Sequence, residues 1–310
     1  MNKKFVLPFL FLFSLVVLCL TFSTAAEGRR GYFSVIVLPD TQGYSEKNPG
    51  IFLSQTEWIR NSREKLNVEL VVHLGDVVEN PGSQAEWKRA RGAIRVLDKA
   101  SIPTLIAFGN HDYTNLGSDR TSNLFNKYLP LSRYEDIDLY GGTFSEESAD
   151  NVFMEFEVGE SKYLFLTVEY RPRSDVLGWA NRVLEDHPDY RAVVIAHSYI
   201  WPNGYRTSNG ERIWDELVRK HKNVKIVLCG HVPGSGVEVI YGEGGNRVVQ
   251  ILSDYQYYSD GGRGYLRIMK FYPDSGRVEV RTYSPYLDSY KKGGRDQFSF
   301  VVDKKVLGVD

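Results

Sequence analysis

Five short apolar runs, each stopping at a residue able to bind a metal or move a proton, constrain this chain more than any other feature. They cover residues 33–38, 70–74, 104–108, 192–196 and 225–229 and consist mostly of Val, Ile and Leu. Continuous apolar runs of this length mark strands buried on both faces. Directly behind them stand Asp40-Thr41-Gln42, Gly75-Asp76, Gly109-Asn110-His111-Asp112, His197 and Gly230-His231. In open α/β sheets ligands bind at the carboxyl ends of parallel strands, so these five endings are expected to converge on one site.

Between the runs the apolar spacing turns helical, over residues 51–66, 83–100 and 175–186, with Ser83 placed three residues before Glu86 as in a capping box. Strand and helix in repetition predict an α/β sandwich. Residues 142–170 read differently. The segments Val152-Phe153-Met154-Glu155-Phe156 and Tyr163-Leu164-Phe165-Leu166, joined through Gly159, alternate as antiparallel strands do. The tail from Val237 repeats that pattern over residues 247–252, 265–271 and 278–283, between turns containing Gly or Pro. A mixed second sheet is therefore expected rather than a second domain.

The first 26 residues stand apart: Lys3 and Lys4, an apolar run from Phe5 to Leu20, then small residues ending in Ala25-Ala26. This is the make-up of a secretory signal peptide cleaved after Ala26. A retained anchor is the alternative, but the run is short for a span of about 20 residues and is interrupted by Pro8. The expected organisation is a leader at 1–26 and one domain at 27–310, with a motif-bearing core over about 33–235 and a β-rich part over about 236–310. The protein is expected to be secreted or otherwise extracytoplasmic, with no further transmembrane segment. Cleavage would leave Cys229 as the only cysteine and exclude an intramolecular disulfide. With 42% hydrophobic and 25% charged residues the 310-residue chain is neither disordered nor fibrous. A formal net charge of -1 provides no global field for a nucleic-acid or anionic-membrane partner.

Taken singly, each strand ending has an ordinary explanation, since Asp and Gly-Asn pairs form turns and a lone histidine is more often hydrogen-bonded than a ligand. Together they form a mixed oxygen and nitrogen set suited to Mn, Fe, Zn or related divalent ions. In order, spacing and strand placement, Asp40-Thr41-Gln42, Leu74-Gly75-Asp76, Gly109-Asn110-His111-Asp112, His197 and Gly230-His231-Val232-Pro233 resemble the calcineurin-like metallophosphoesterase family, over about residues 33–233. That resemblance implies two packed mixed β-sheets flanked by helices. It also implies two metals sharing Asp76, the first held by Asp40 and Gln42, the second by Asn110, His197 and His231. His111 would sit beside the leaving group without binding metal, and Asp112 would be its electrostatic companion.

The chain departs from the family pattern twice. Gln42 replaces a histidine but keeps an amide oxygen, whereas Pro233 replaces the last histidine and offers no side-chain donor. The two metals are therefore expected to bind with unequal affinity, the first, all-oxygen site favouring Mn or Mg and the second Zn, Fe or Mn. The chemistry implied is hydrolysis of a small phosphomonoester or phosphodiester by metal-activated water, with His111 as general acid. A rival reading, kept open by Pro233, is a catalytically weak module that holds one metal and a phosphate-bearing ligand. A Ser/His hydrolase is disfavoured, because no Gly-x-Ser-x-Gly elbow is present. Tyr199, Trp201 and Tyr205 after His197, and Tyr255, Tyr257 and Tyr258 after residues 247–252, are weaker candidates for stacking on substrate, Tyr199 and Tyr255 foremost. Arg171 and Arg173 are candidates for a substrate phosphate, and Cys229 reads as a buried strand end.

Overall fold

The computed structural model describes residues 31–115 and 123–302; the leader expected at residues 1–26 lies outside them. Among the described residues the chain builds two seven-stranded mixed sheets, packed face to face and flanked by helices.

The first sheet grows from the apolar runs at the N-terminal side. β1 (Phe33–Leu38), whose six residues are all buried, is followed by α1 (Gln42–Glu46) and α2 (Pro49–Leu66), then β2 (Val68–His73), α3 (Gln84–Lys99) and β3 (Thr104–Ile106). The three strands lie side by side and parallel. Ser83 caps α3 as its spacing foretells, its hydroxyl accepting the Glu86 N–H at 3.3 Å. The Glu86 carboxylate does not reach back to complete a capping box. It accepts the N–H groups of Glu79 and Asn80 at 3.0 and 2.8 Å, which ties α3 to the loop leaving β2.

After α4 (Asn123–Tyr128) the chain enters the second sheet through the antiparallel strands β4 (Tyr140–Ser145), β5 (Ser148–Val158) and β6 (Ser161–Val168). α5 (Ser174–Asp186) leads to β7 (Arg191–Ala196), and α6 (Ser208–Glu216) leads to β8 (Val224–Cys229), both parallel to β6. β9 (Gly234–Tyr241) and β10 (Arg247–Asp254) form a hairpin, of which β10 runs parallel to β8. The tail then returns to the first sheet. β11 (Leu266–Tyr272) pairs antiparallel with β1, and β12 (Arg277–Ser284) carries β13 (Ser289–Tyr290) and β14 (Gln297–Val301). The β-rich end of the chain is thus divided between the sheets.

Aromatic rings lock the sheets together. Phe33 stacks on Phe271 at 5.0 Å within the first sheet and meets Phe156 and Tyr163 of the second edge-on at 5.3 and 4.8 Å. On the outer face of the second sheet Leu164, Val194 and Val227 pack with Leu177, Val183 and Ile213 of α5 and α6. Both layers leave the carboxyl ends of β1, β2, β3, β7 and β8 free to supply loops. No helix among the described residues is long and apolar enough to cross a membrane.

Candidate metal centre

Backbone hydrogen bonds fix the five loops against one another. The Thr41 N–H donates to the Asp76 carbonyl at 3.1 Å, and the Gly230 N–H donates to that of His197 at 2.9 Å. Beneath them lies His73, wholly buried and pushed down to about 3 by burial and then by the charge of His197. It is neutral, accepting the Gly75 N–H on Nδ1 at 3.1 Å and donating from Nε2 to the Thr41 hydroxyl at 2.9 Å. The motif glycines make room for carboxylates. A Cβ on Gly109 would stand 2.1 Å from Asp76 Oδ1, and one on Gly230 2.2 Å from Asp40 Oδ1. Asp76 and His231 themselves adopt left-handed backbone, at φ 50° and 66°, at a cost of about 1–2 kcal/mol each that the surrounding bonds must offset.

His197 organises the nitrogen-containing half of the site. Its Nδ1–H donates to the Leu74 carbonyl at 2.9 Å, which leaves Nε2 facing Asp76 Oδ2 and Asn110 Oδ1, each 3.1 Å away. An imidazole lone pair, a carboxylate oxygen and an amide oxygen are all acceptors, so a proton or a metal cation is needed to hold them together. Burial opposes a charge on His197, but Asp76 overrides it and raises the imidazole above its usual value. Burial likewise pushes Asp76 up, and His197 reverses that and holds it below the usual carboxylate range. His231 completes the group: the donor atoms of Asp76, His197 and His231 lie within 4.8 Å of one another. Burial, then the charge of His197, lowers His231 to about 4, so its ring is neutral as a metal ligand must be.

The other half is made of oxygens. Asp40 Oδ2 accepts the His231 N–H at 3.0 Å, while its buried Oδ1 has no hydrogen-bond partner. Gln42 donates from Nε2 to Glu79 Oε2 at 2.6 Å, which fixes the amide so that Oε1 is left buried and unpartnered. Orphaned buried oxygens are costly in a protein interior and are the atoms a hard cation takes. The residues present therefore fit a divalent metal.

His111 and Asp112 lie where their motif places them, but they do not face one another as expected. The His111 ring bonds through Nδ1 to the Glu79 carbonyl at 2.7 Å, and its main-chain N–H donates to Asp76 Oδ1 at 2.8 Å. The Asp112 carboxylate instead collects the N–H groups of Asp76, Val77 and Gly109 at 2.8–3.0 Å, stapling the loop after β2 to the loop after β3. It is wholly buried and is pushed up to about 7 by burial and by Asp76.

Tyr199 and Tyr255, expected as stacking residues, are buried at 0% and 1% exposure, so neither ring can meet a substrate. They belong to the core because their loops fold back on the sheet. Trp201, Tyr205, Tyr257 and Tyr258 are the exposed members of those loops. Cys229 is buried with a free thiol, which burial pushes up to about 12. Arg173 is engaged by Glu169, its Nε 3.0 Å from Oε1, whereas the charge of Arg171 is felt at His231.

Three residues of the site escaped sequence reasoning. Glu79 orients Gln42 and supports His111, Tyr170 lays its ring 5.8 and 5.5 Å from those of His197 and His231, and Asp254 lies buried at the end of β10. A signal for Asp254 was present: the strand expected at residues 247–252 is followed by Ser253-Asp254, as the five apolar runs are followed by polar residues.

A family model described as calcineurin-like phosphoesterase matches residues 33–235. Among curated proteins, the uncharacterized protein YvnB of Bacillus subtilis is 33% identical over 285 residues, covering 88% of this chain but only 22% of its own length. The chain thus spans about a fifth of that relative. Among solved structures, the purple acid phosphatase PPD1 of yellow lupin aligns with a TM-score of 0.56 and 14% identity, over 86% of this chain and 53% of its own. The protein TT1561 of Thermus thermophilus aligns with a TM-score of 0.52 and 11% identity, over 80% of this chain and 98% of its own. At such identities these two likenesses concern the fold alone. The family model, matched across the loops that carry Asp40, Asp76, Asn110, His197 and His231, places the chain in the calcineurin-like phosphoesterase family.

Proposed function

We propose that the chain is a metal-dependent phosphoric ester hydrolase acting on a small phosphomonoester or phosphodiester. The observation that carries this reading is the meeting of His197 Nε2 with Asp76 Oδ2 and Asn110 Oδ1, three atoms that only a proton or a cation can hold together. Asp76, His197, His231 and Asn110 would hold one divalent cation, and Asp76 with Asp40 and Gln42 a second, of Mn, Fe, Zn or Mg. Bound there, such cations supply charge neutralisation of the phosphoryl oxygens and lower the pKa of a water to near neutrality.

The chain's own groups do the rest. The Leu74 carbonyl and the Glu79 carboxylate keep His197 and Gln42 turned with their acceptor atoms inward. His111, its Nδ1–H held on the Glu79 carbonyl, is left with Nε2 to carry the proton given to the leaving oxygen, a contribution of about a hundredfold to ten-thousandfold. Arg171, with its guanidinium 5.3 Å from the Tyr170 ring and its charge felt at His231, is placed to attract the phosphate. Asp112 acts through the loops it joins. The reading extends to export, which rests on the composition of the first 26 residues.

Hydrolysis of a chromogenic aryl phosphate and of the matching diester, with added Mn, Fe, Zn or Mg, tests the proposal. Turnover that requires metal and stops on chelation supports it. Phosphate binding without turnover under every metal favours the second reading, a single-metal binding module, for which Pro233 is the supporting observation.

A further inference from the structure

We infer that Asp254 supplies the ligand that Pro233 withholds, completing the first metal site as an all-oxygen set of Asp40, Gln42, Asp76 and Asp254. The inference rests on the metal-dependent reading and specifies how this chain satisfies it.

The strand registers place Asp254 beside the gap. Pro233 is followed at once by β9, and the β9–β10 ladder ends at the pair Gly234 and Asp254. Asp254 is therefore the cross-strand partner of the residue next to Pro233, and directly paired residues in an antiparallel ladder lie about 4.5–5.5 Å apart. From the other side, β10 runs parallel to β8 with Leu252 opposite Cys229. The ladder stops there, two residues before Asp254 on one strand and two before His231 on the other, so both follow the same end of the sheet.

Its surroundings suit a cation. Asp254 is 1% exposed, and among the described residues neither Asp254 nor Asp40 has an ion-pair partner. Each Asp254 oxygen accepts one bond from Gln256, from its N–H and from its Nε2, both at 2.9 Å. These two bonds fix the carboxylate plane and leave lone pairs on both oxygens. Asp254 is also near enough for its charge to be felt at Asp40, as is that of Asp76. Buried carboxylates that repel one another without a counter-charge are costly, and a divalent cation removes the cost. Asp40 Oδ1 and Gln42 Oε1, buried and unpartnered, are the independent sign that a ligand belongs there. With carboxylates and an amide replacing imidazole, the site is expected to prefer Mn or Mg over Zn.

Equilibrium dialysis of the full chain against Mn, with elemental analysis, tests the assignment. The unaltered protein should bind two Mn per chain, one of them weakly. Asp254→Asn should weaken that second equivalent about tenfold or more while sparing the first, and the rise in Tm on adding Mn should shrink although the metal-free Tm does not fall. Adding Pro233→His to Asp254→Asn should restore the second equivalent and turn its preference toward Zn. Pro233→His alone, which does not depend on the folding of Asp254→Asn, should leave Mn affinity within about twofold, because the position is already filled. Unchanged Mn binding in Asp254→Asn, or a tenfold tightening by Pro233→His alone, overturns the assignment and leaves the proposed function standing. An unaltered chain that binds no Mn, Zn or Fe removes the proposed function as well.

Discussion

His197 meets Asp76 with Nε2 3.1 Å from Oδ2, while its opposite nitrogen is tied to the Leu74 carbonyl at 2.9 Å. The ring cannot turn away, so the charge on Asp76 must be matched by a proton on His197 or by a metal between them.

The first prediction follows from that contact. Asp76→Asn removes the charge but leaves an amide that can donate to His197 Nε2, and the amide oxygen can still accept the His111 N–H. The variant is expected to fold with a wild-type far-ultraviolet spectrum, to lose nearly all bound metal after dialysis, and to lose about a thousandfold in turnover, as removal of several kcal/mol of transition-state stabilisation requires. Retained metal with retained turnover would remove Asp76 from the shared position.

His111 tests the leaving-group role. Its contact with Asp76 runs through the main-chain N–H, which alanine preserves, while the ring bonds only to the Glu79 carbonyl among the described contacts. His111→Ala is expected to keep its metal and to lose about a hundredfold or more on an alkyl phosphate. Its loss on an aryl phosphate, which leaves without a proton, should be under about tenfold. Equal losses on the two substrates would show that the ring does something other than protonate the leaving oxygen.

Glu79 should matter through Gln42. With the 2.6 Å bond to Glu79 gone, the Gln42 amide is free to flip and present its NH₂ group to the cation. Glu79→Ala is expected to weaken the weaker Mn about tenfold in a calorimetric titration, as loss of an orienting partner does. Glu79→Gln, which keeps an acceptor oxygen, should weaken it less. Because His111 bonds to the Glu79 main chain, both variants should keep the wild-type ratio of alkyl to aryl phosphate rates.

Asp150 offers a test by pH. It is buried beside Glu169 and Arg173, with Oδ1 unpartnered, and is raised from 3.8 to about 6, first by burial and then by Glu169. Between those values the folded chain holds a proton that the unfolded chain releases, so stability falls as pH rises through the window and the penalty is complete above pH 6. Asp150→Asn is expected to stabilise the protein at pH 7.5 by at most about 3 kcal/mol, with the gain shrinking as pH is lowered toward 4. Urea unfolding of both proteins across this range measures it. A gain independent of pH would place its cause elsewhere.

Much of the fold and the site could be read from the chain because the relevant signals are local. Apolar runs such as residues 33–38 and 225–229 carry the period of a buried strand, and the polar residues after them occupy its carboxyl end wherever that strand sits. The absence of a donor at Pro233 was equally local. Pairing partners and burial depth were not, because both depend on contacts between residues far apart in sequence. The run at residues 247–252 reads as an antiparallel strand of the tail, and so it is toward β9, but its other edge lies parallel to β8, which brings Asp254 to the end of the sheet where His231 emerges. Tyr199 and Tyr255 carry the composition of exposed loop residues, and only tertiary packing buries them, Tyr199 in the apolar cluster of the second sheet and Tyr255 against Tyr265 and Thr282. Asp112 shares a tetrapeptide with His111, yet the approach of the loop after β2 turns its carboxylate onto the N–H groups of Asp76 and Val77. Sequence determined which groups arrive at the strand ends, through periodicity and residue chemistry; tertiary structure decided which of them face each other, because strand order and register arise from packing the two sheets around Phe33, Phe156, Tyr163 and Phe271.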